Sequence, residues 1–396
     1  MDGITTFYTQ QRDKHNEELK RLKKQLALLA SLRLLVFVAT GLAIYFLWTT
    51  SLVYWIFPLG LAGFLYLVSL HSDLKWQKGY VERLIAINQT ELEVAARRFH
   101  HLPDGKEFLV PEHPYAQDLD LFGRGSFYQY ANRTTLKQGS QVFAGLLLDG
   151  YPKDIAKKQE AIQELAQLPE WRQRFSALAG GTHPEVPHHG VSKWLKEHVA
   201  FVPKWIKYVA PAFALGSIGL VIAALSGWIP EVVVLYWYVV GIGIVGRYGK
   251  NILRFSLDVS KAQDTIEQYQ KLISELEQRE FASELLRDLQ QKLILDGEKT
   301  SKILKKFSGS MAMLDQQNNL LIMIFGQGLL LWSLYFAYQV ENWIDKYGRQ
   351  VEGWFEAIGH FDAYNSLGNY AFNHPDHTYP QITDGPMALQ AKGGGH

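Results

Sequence analysis

The residues of this 396-residue chain that could do chemistry fall into a few groups. Gly241, Gly243 and Gly246 have the GxGxxG spacing that lets a backbone approach a dinucleotide pyrophosphate. That use needs a strand before it and a helix after it in a βαβ unit. Here the glycines sit inside an apolar run, where small residues serve close helix packing. The neighbouring Gly249 and Lys250 hint at a phosphate loop, but Ile244 stands where the loop needs its first glycine. Asn251 stands where Ser or Thr would bind magnesium. His183, His188 and His189 in one loop, and His374 and His377 in another, could ligate a metal as neutral imidazoles. Neither loop adds carboxylates at orderly spacing, so both read as solvated histidines. Asp118 and Asp120, with Glu112 nearby, could pair for acid/base work. Their place ahead of a predicted helix reads instead as a capping or turn role. No catalytic residue, metal or cofactor is therefore assigned to this chain, and enzyme activity stays open.

Composition narrows the classes further. Lys+Arg total 40 and Asp+Glu 39, a formal net charge of +1. That balance excludes a basic nucleic-acid coat and an acidic tail, so any polyanion contact must come from a local patch. There is no Cys, which excludes a disulfide scaffold, thiolate metal sites, iron–sulfur clusters and a thiol nucleophile.

The apolar residues are bunched. Stretches 34–48, 52–70, 208–228 and 232–245 approach or reach the roughly 20 residues a bilayer core requires. Arg33 and Arg247, at the bases of the two short ones, can snorkel. The stretches form two pairs, joined by Thr49, Thr50 and Ser51 and by Ile229, Pro230 and Glu231, with no Lys or Arg in either joint. The opposite ends carry the cations: Lys20, Arg21, Lys23 and Lys24 before the first pair, Lys75, Lys78 and Arg83 after it. Lys193, Lys196, Lys204 and Lys207 precede the second pair; Lys250 and Arg254 follow. The positive-inside rule then predicts two hairpins with outside tips, both termini cytoplasmic, in a cytoplasmic (inner) membrane. Buried core helices are the competing reading. A fifth apolar stretch, 320–338, contains Gln327 and Ser333 and has charged flanks, which predicts a buried cytoplasmic helix.

The remainder reads as helical. Residues 72–99 are amphipathic, 100–114 a linker, and helices are expected over 122–131, 138–148, 155–168 and 171–178. Only a few residues near 107–110 could form a strand. Residues 254–296 have no Pro and no interior Gly, and Ile266, Tyr269, Ile273 and Leu276 follow a coiled-coil seam continued by Leu285, Leu289 and Leu293. A helix of about 40 residues would extend about 60 Å, a lever. Further helices are expected over 340–357 and 363–372. The fold class is all-α. Its divisions are a polar helix at 1–31, the first hairpin at 32–71, an amphipathic helix and linker at 72–110, and a core segment at 111–190. The second hairpin at 191–250, lever helices at 251–318 and return helices at 319–396 complete it.

One segment is more specific. Residues 113–148 include Asp118, Asp120, Gly123, Gly125, Asn132, Arg133, Thr134 and Gly139, followed by Gln159, Ala161, Ile162 and Leu165. This resembles the start of the core domain of the MutS family of DNA mismatch-repair ATPases, with Lys158 where Arg is usual. Residues 354–380 resemble that family's return helices, the long helix between resembles its lever arm, and 388–396 resemble the approach to its ATPase domain. The resemblance implies a dimer whose core transmits nucleotide state to DNA-clamping arms. It implies ATP and magnesium only for an ATPase domain outside these residues. Lys271, Arg279, Arg287 and Lys292 on the arm become candidate phosphate contacts, though their alternation with acids also fits a solvated face. The family's Phe-x-Glu wedge occurs nowhere in the chain, so DNA is a candidate partner without mismatch recognition being expected. The lipid bilayer is the other partner. A membrane scaffold that never meets DNA, and a small transporter, are the rival classes.

Overall fold

The computed structural model describes residues 2–50, 52–181, 186–295 and 297–382. His183 and the closing stretch 388–396 lie outside them. Helix dominates, and the one sheet among the described residues is a two-stranded hairpin.

Two very long helices open the chain, α1 (Asp2–Phe46) and α2 (Val53–Ala95), packed side by side. Each is amphipathic in the lengthwise sense: one half apolar and bare, the other polar and docked on the body. Leu34, Phe37, Leu59 and Tyr66 are exposed, while Tyr8, Leu22, Val81, Leu84 and Val94 are buried. The expected helix at 72–99 is thus the continuation of the second apolar stretch. A 3-10 turn at Lys106–Phe108 stands where a strand was conceivable.

The region around 115–126 is a series of turns, and helix α3 covers only Phe127–Ala131. The expected helix over 122–131 is shortened because Gly123 and Gly125 adopt φ of 105° and 80°, a region that breaks helical geometry. Helices α4 (Lys137–Leu148), α5 (Ile155–Ala166) and α6 (Pro169–Ala179) follow close to their predicted bounds. Helix α7 (His188–Glu197) leads to α8 (Ile206–Leu225) and α9 (Val232–Glu277).

Helix α9 revises the lever. It has 46 residues, about 69 Å at 1.5 Å per residue, and runs without interruption from the fourth apolar stretch into the body. It ends at Glu277 rather than near 296. Residues 278–283 break it, and Glu164 of α5 accepts the backbone N–H groups of Ala282 and Ser283 at 2.8 Å each. Helix α10 (Glu284–Gln291) restarts there, and β1 (Ile294–Leu295) and β2 (Glu298–Lys299) turn back at Gly297, φ 75°. Ile266, Tyr269, Ile273 and Leu276 are all buried, as the seam pattern requires. Their cover is the chain's own body, chiefly α11 (Thr300–Asp315), α6 and the helix at Val351–Asn373.

The fifth apolar stretch corrects the expectation of one buried helix. It is a π-helical turn at Ile322–Gly326, α12 (Gln327–Leu330), a break at Leu331 with φ 50°, and then α13 (Trp332–Tyr347). Leu320, Leu321, Met323 and Phe325 are exposed, whereas Leu331, Leu334 and Val340 are fully buried. The first part lies against the apolar helices. A Cβ at Gly241 would collide with the Gly328 carbonyl, and one at Gly328 with the Tyr238 ring. The Ser217 hydroxyl accepts from Trp237 Nε1 at 2.8 Å and donates to the Leu329 carbonyl at 2.6 Å. Of the GxGxxG glycines, only Gly241 serves close packing; Gly243 and Gly246 face open space. The helix expected at 340–357 is divided between α13 and α14 (Val351–Asn373), and α14 also takes in the short helix expected at 363–372. Helix α14 packs against α4, α5, α6, α7, α9 and α10 and so forms the axis of the body.

Candidate functional site: the Asn132–Leu136 turn and the cavity beside it

Leu136 stands at the N-cap of α4, and its side chain cannot cap the helix. The first N–H groups of a helix need acceptors, and here one arrives from a distant element. Asp362 of α14, fully buried, accepts from Thr135 N at 3.0 Å and Leu136 N at 2.8 Å through Oδ2. Gly139, one turn into α4, lies against that carboxylate with no room for a Cβ. The preceding turn is equally tied. Asn132 Oδ1 accepts from the Thr134 amide at 3.0 Å and hydroxyl at 2.7 Å, a local turn motif. Ser366 Oγ accepts from Arg133 N and donates to the Ala131 carbonyl. Arg133 Nε meets Glu91 of α2 at 2.6 Å, with Glu91 only 3% exposed.

Asn132, Arg133, Thr134 and Gly139 therefore converge on one joint. Asp118, Asp120, Gly123 and Gly125 do not belong to it. Asp118 and Asp120 are exposed, so no buried carboxylate pair forms. Asp120 turns the chain with φ 46°, and its carbonyl accepts from Phe127 N. Gly123 N donates to the Asp104 carbonyl and Gly125 N to Gln129 Oε1, at 2.7 Å each.

The arm cations also lie apart. Lys271 Nζ sits 4.9 Å over the Trp76 ring of α2, and Arg279 is half-buried beside Phe281. Arg287 and Lys292 are exposed around α10. The histidines His374 and His377 stack at 4.6 Å but hydrogen-bond Tyr130 and Tyr370. Among the described residues no His, Asp and Glu group fit for a metal occurs.

Beside the joint lies a cavity of about 320 Å³ between α2, α6 and α14. Its wall carries Arg83, Arg133 and Arg172 against one carboxylate, Glu91. Arg172, 4% exposed, gives Nε to the Leu165 carbonyl and Nη1 to Asn369 Oδ1. Burial pulls its guanidinium down to about 10, which leaves it charged at neutral pH. Sequence reasoning gave Arg172, Arg83 and Asn365 no role in a site; they come from three separate elements, and no short motif links them.

Asp362 sets a pH dependence. Burial raises its carboxyl from 3.8 to about 7 against the two backbone hydrogen bonds. The folded protein then holds a proton that the unfolded chain releases between about pH 4 and 7, so stability falls as pH rises through that window. Melting Asp362→Asn beside the wild type at pH 4.5 and 8 checks this. The wild type is expected to lose several degrees relative to the variant at the higher pH.

Comparison of the chain with protein-family models, curated proteins and solved structures returns no match. What the fold defines is an all-α protein with, among the described residues, four helices long and apolar enough to cross a membrane.

Proposed function

We propose that the chain is the membrane-anchored core and lever region of a MutS-like protein, coupling an ATPase domain to DNA-clamping arms. One observation supports this above others. The two stretches that carry the resemblance, separated in sequence by the second apolar pair, meet at the Asn132–Leu136 turn through Asp362 and Ser366. On this reading α1–α2 and α8–α9 are transmembrane hairpins with outside tips, and the body lies at the cytoplasmic face, where Lys and Arg flank the spans. The unbroken α9 carries displacement between membrane and core, as a rigid helix must. ATP and magnesium belong to the ATPase domain, and two copies act together.

A second reading is a scaffold that never binds DNA. It is favoured by the burial of the lever's seam within the chain's own body and by Lys271 lying on Trp76. Titrating duplex DNA into the detergent-solubilised protein from 50 to 200 mM salt separates them. The DNA reading expects steep salt dependence, with a log–log slope of roughly −0.9 per phosphate contact. Arg287→Glu combined with Lys292→Glu should flatten that slope by about two contacts. Absence of binding at 50 mM salt refutes it in favour of the scaffold.

A further inference from the structure

The cavity beside the joint has polar atoms with nothing to bind. Arg83 Nη2, Arg172 Nη2 and both amide atoms of Asn365 are buried without a hydrogen-bond partner among the described residues. All three residues line the cavity. Buried polar atoms are ordinarily paired, and an orphan is costly to keep. Four such atoms around one space point to a ligand. Both guanidiniums are already aimed: Arg83 Nε is held by the Ala177 carbonyl at 2.6 Å, and Arg172 by Leu165 and Asn369. Each keeps a free N–H edge. Arg133 is consumed by Glu91 and the Asn132 carbonyl. Three guanidiniums against one carboxylate leave the wall two positive charges in excess.

We propose that this cavity binds a soluble small molecule bearing a phosphate group. The phosphate lies between Arg83 and Arg172, and the body of the molecule presents a donor and an acceptor to the Asn365 amide. A dianion matches the excess charge, and guanidinium edges suit phosphate oxygens. A volume of about 320 Å³ sits at the small end of ligand pockets, which fits a phosphomonoester of sugar size. The same headgroup chemistry exists on lipids. Arg83, however, lies 13 residues beyond Leu70, about 20 Å along α2 from the apolar end, which favours a soluble source. The inference rests on the cavity and stands whether or not the MutS-like reading holds.

The test uses the full chain in detergent. Equilibrium dialysis with radiolabelled inorganic phosphate, and competition by a hexose phosphate, should show one site per chain. Thermal melts should rise in phosphate relative to chloride at equal ionic strength. Arg83→Gln and Asn365→Asp should each weaken binding at least tenfold while melting normally in chloride; two variants guard against one misfolding. Equal phosphate stabilisation of wild type and both variants overturns the site. So does protection by phosphatidate vesicles with no response to either soluble phosphate, which would assign the cavity to a lipid headgroup.

Discussion

Gly139→Ala is expected to abolish the folded body, or to leave it melting far below the wild type. The added methyl would occupy the place of the Asp362 carboxylate, which lies in direct contact with the Gly139 backbone. Gly139 and Asp362 are both buried in the packed body, so neither helix can shift freely. Overpacking of this kind costs roughly 1–3 kcal/mol. Pushing Asp362 away also strands the amides of Thr135 and Leu136, at about 1–3 kcal/mol for each orphaned donor. The expected loss is about 3–9 kcal/mol, a large share of a typical domain's stability. Thermal unfolding followed by circular dichroism measures it. A double-mutant cycle locates the cause: with Asp362→Ala already present the methyl has space, so the second change should add little. If Gly139→Ala costs the same in both backgrounds, the contact with Asp362 is not the reason.

The same residues show what could be read from the chain and what could not. The apolar stretches became α1, α2, α8 and α9, and the 3.6-residue periods of α4, α5 and α6 located those helices closely, since both signals are local. The seam at Ile266, Tyr269, Ile273 and Leu276 marked a buried face. Periodicity says that a face is covered, but not by what, so a packed core helix reads like a projecting arm. The end of that helix at Glu277 was hidden because no Gly or Pro marks it; Glu164, far away in sequence, satisfies the amides that open the next element. Residues 320–338 carry enough apolar side chains for one helix, and their break depends on a left-handed Leu331 buried by tertiary contacts. Around the joint, Asn132, Arg133, Thr134 and Gly139 were singled out by their motif. Their partners Asp362, Ser366 and Glu91, and the other two cavity arginines, Arg83 and Arg172, were not assigned to any site. A trans cap leaves no trace in spacing, because the helix it serves and the residue that serves it are independent stretches of sequence.

Glu341→Ala is the second change expected to have a large effect, and its site is the passage from the body into α8. Glu341 of α13 is 4% exposed. Its carboxylate accepts from His198 Nε2 and Phe201 N through Oε1, and from Val202 N through Oε2, each at 2.9 Å. One side chain thus satisfies three donors of the segment that enters the third apolar helix. Alanine leaves two backbone amides and an imidazole edge unpaired in a buried place. Losing one partner of such a buried set costs about 3–5 kcal/mol. Gln keeps one carbonyl acceptor and should retain part of the stability, so the order wild type, Glu341→Gln, Glu341→Ala is expected in denaturant midpoints. The damage should also be local. Helix α8 is held separately at Ser217 through Trp237 and the Leu329 carbonyl, and the N-terminal helix at Tyr8 through Asn373. Limited trypsin treatment of Glu341→Ala in detergent should therefore cut first at Lys204 or Lys207, with the Tyr8 end still protected. Early cleavage spread evenly over the body would mean that Glu341 supports the whole fold rather than this passage.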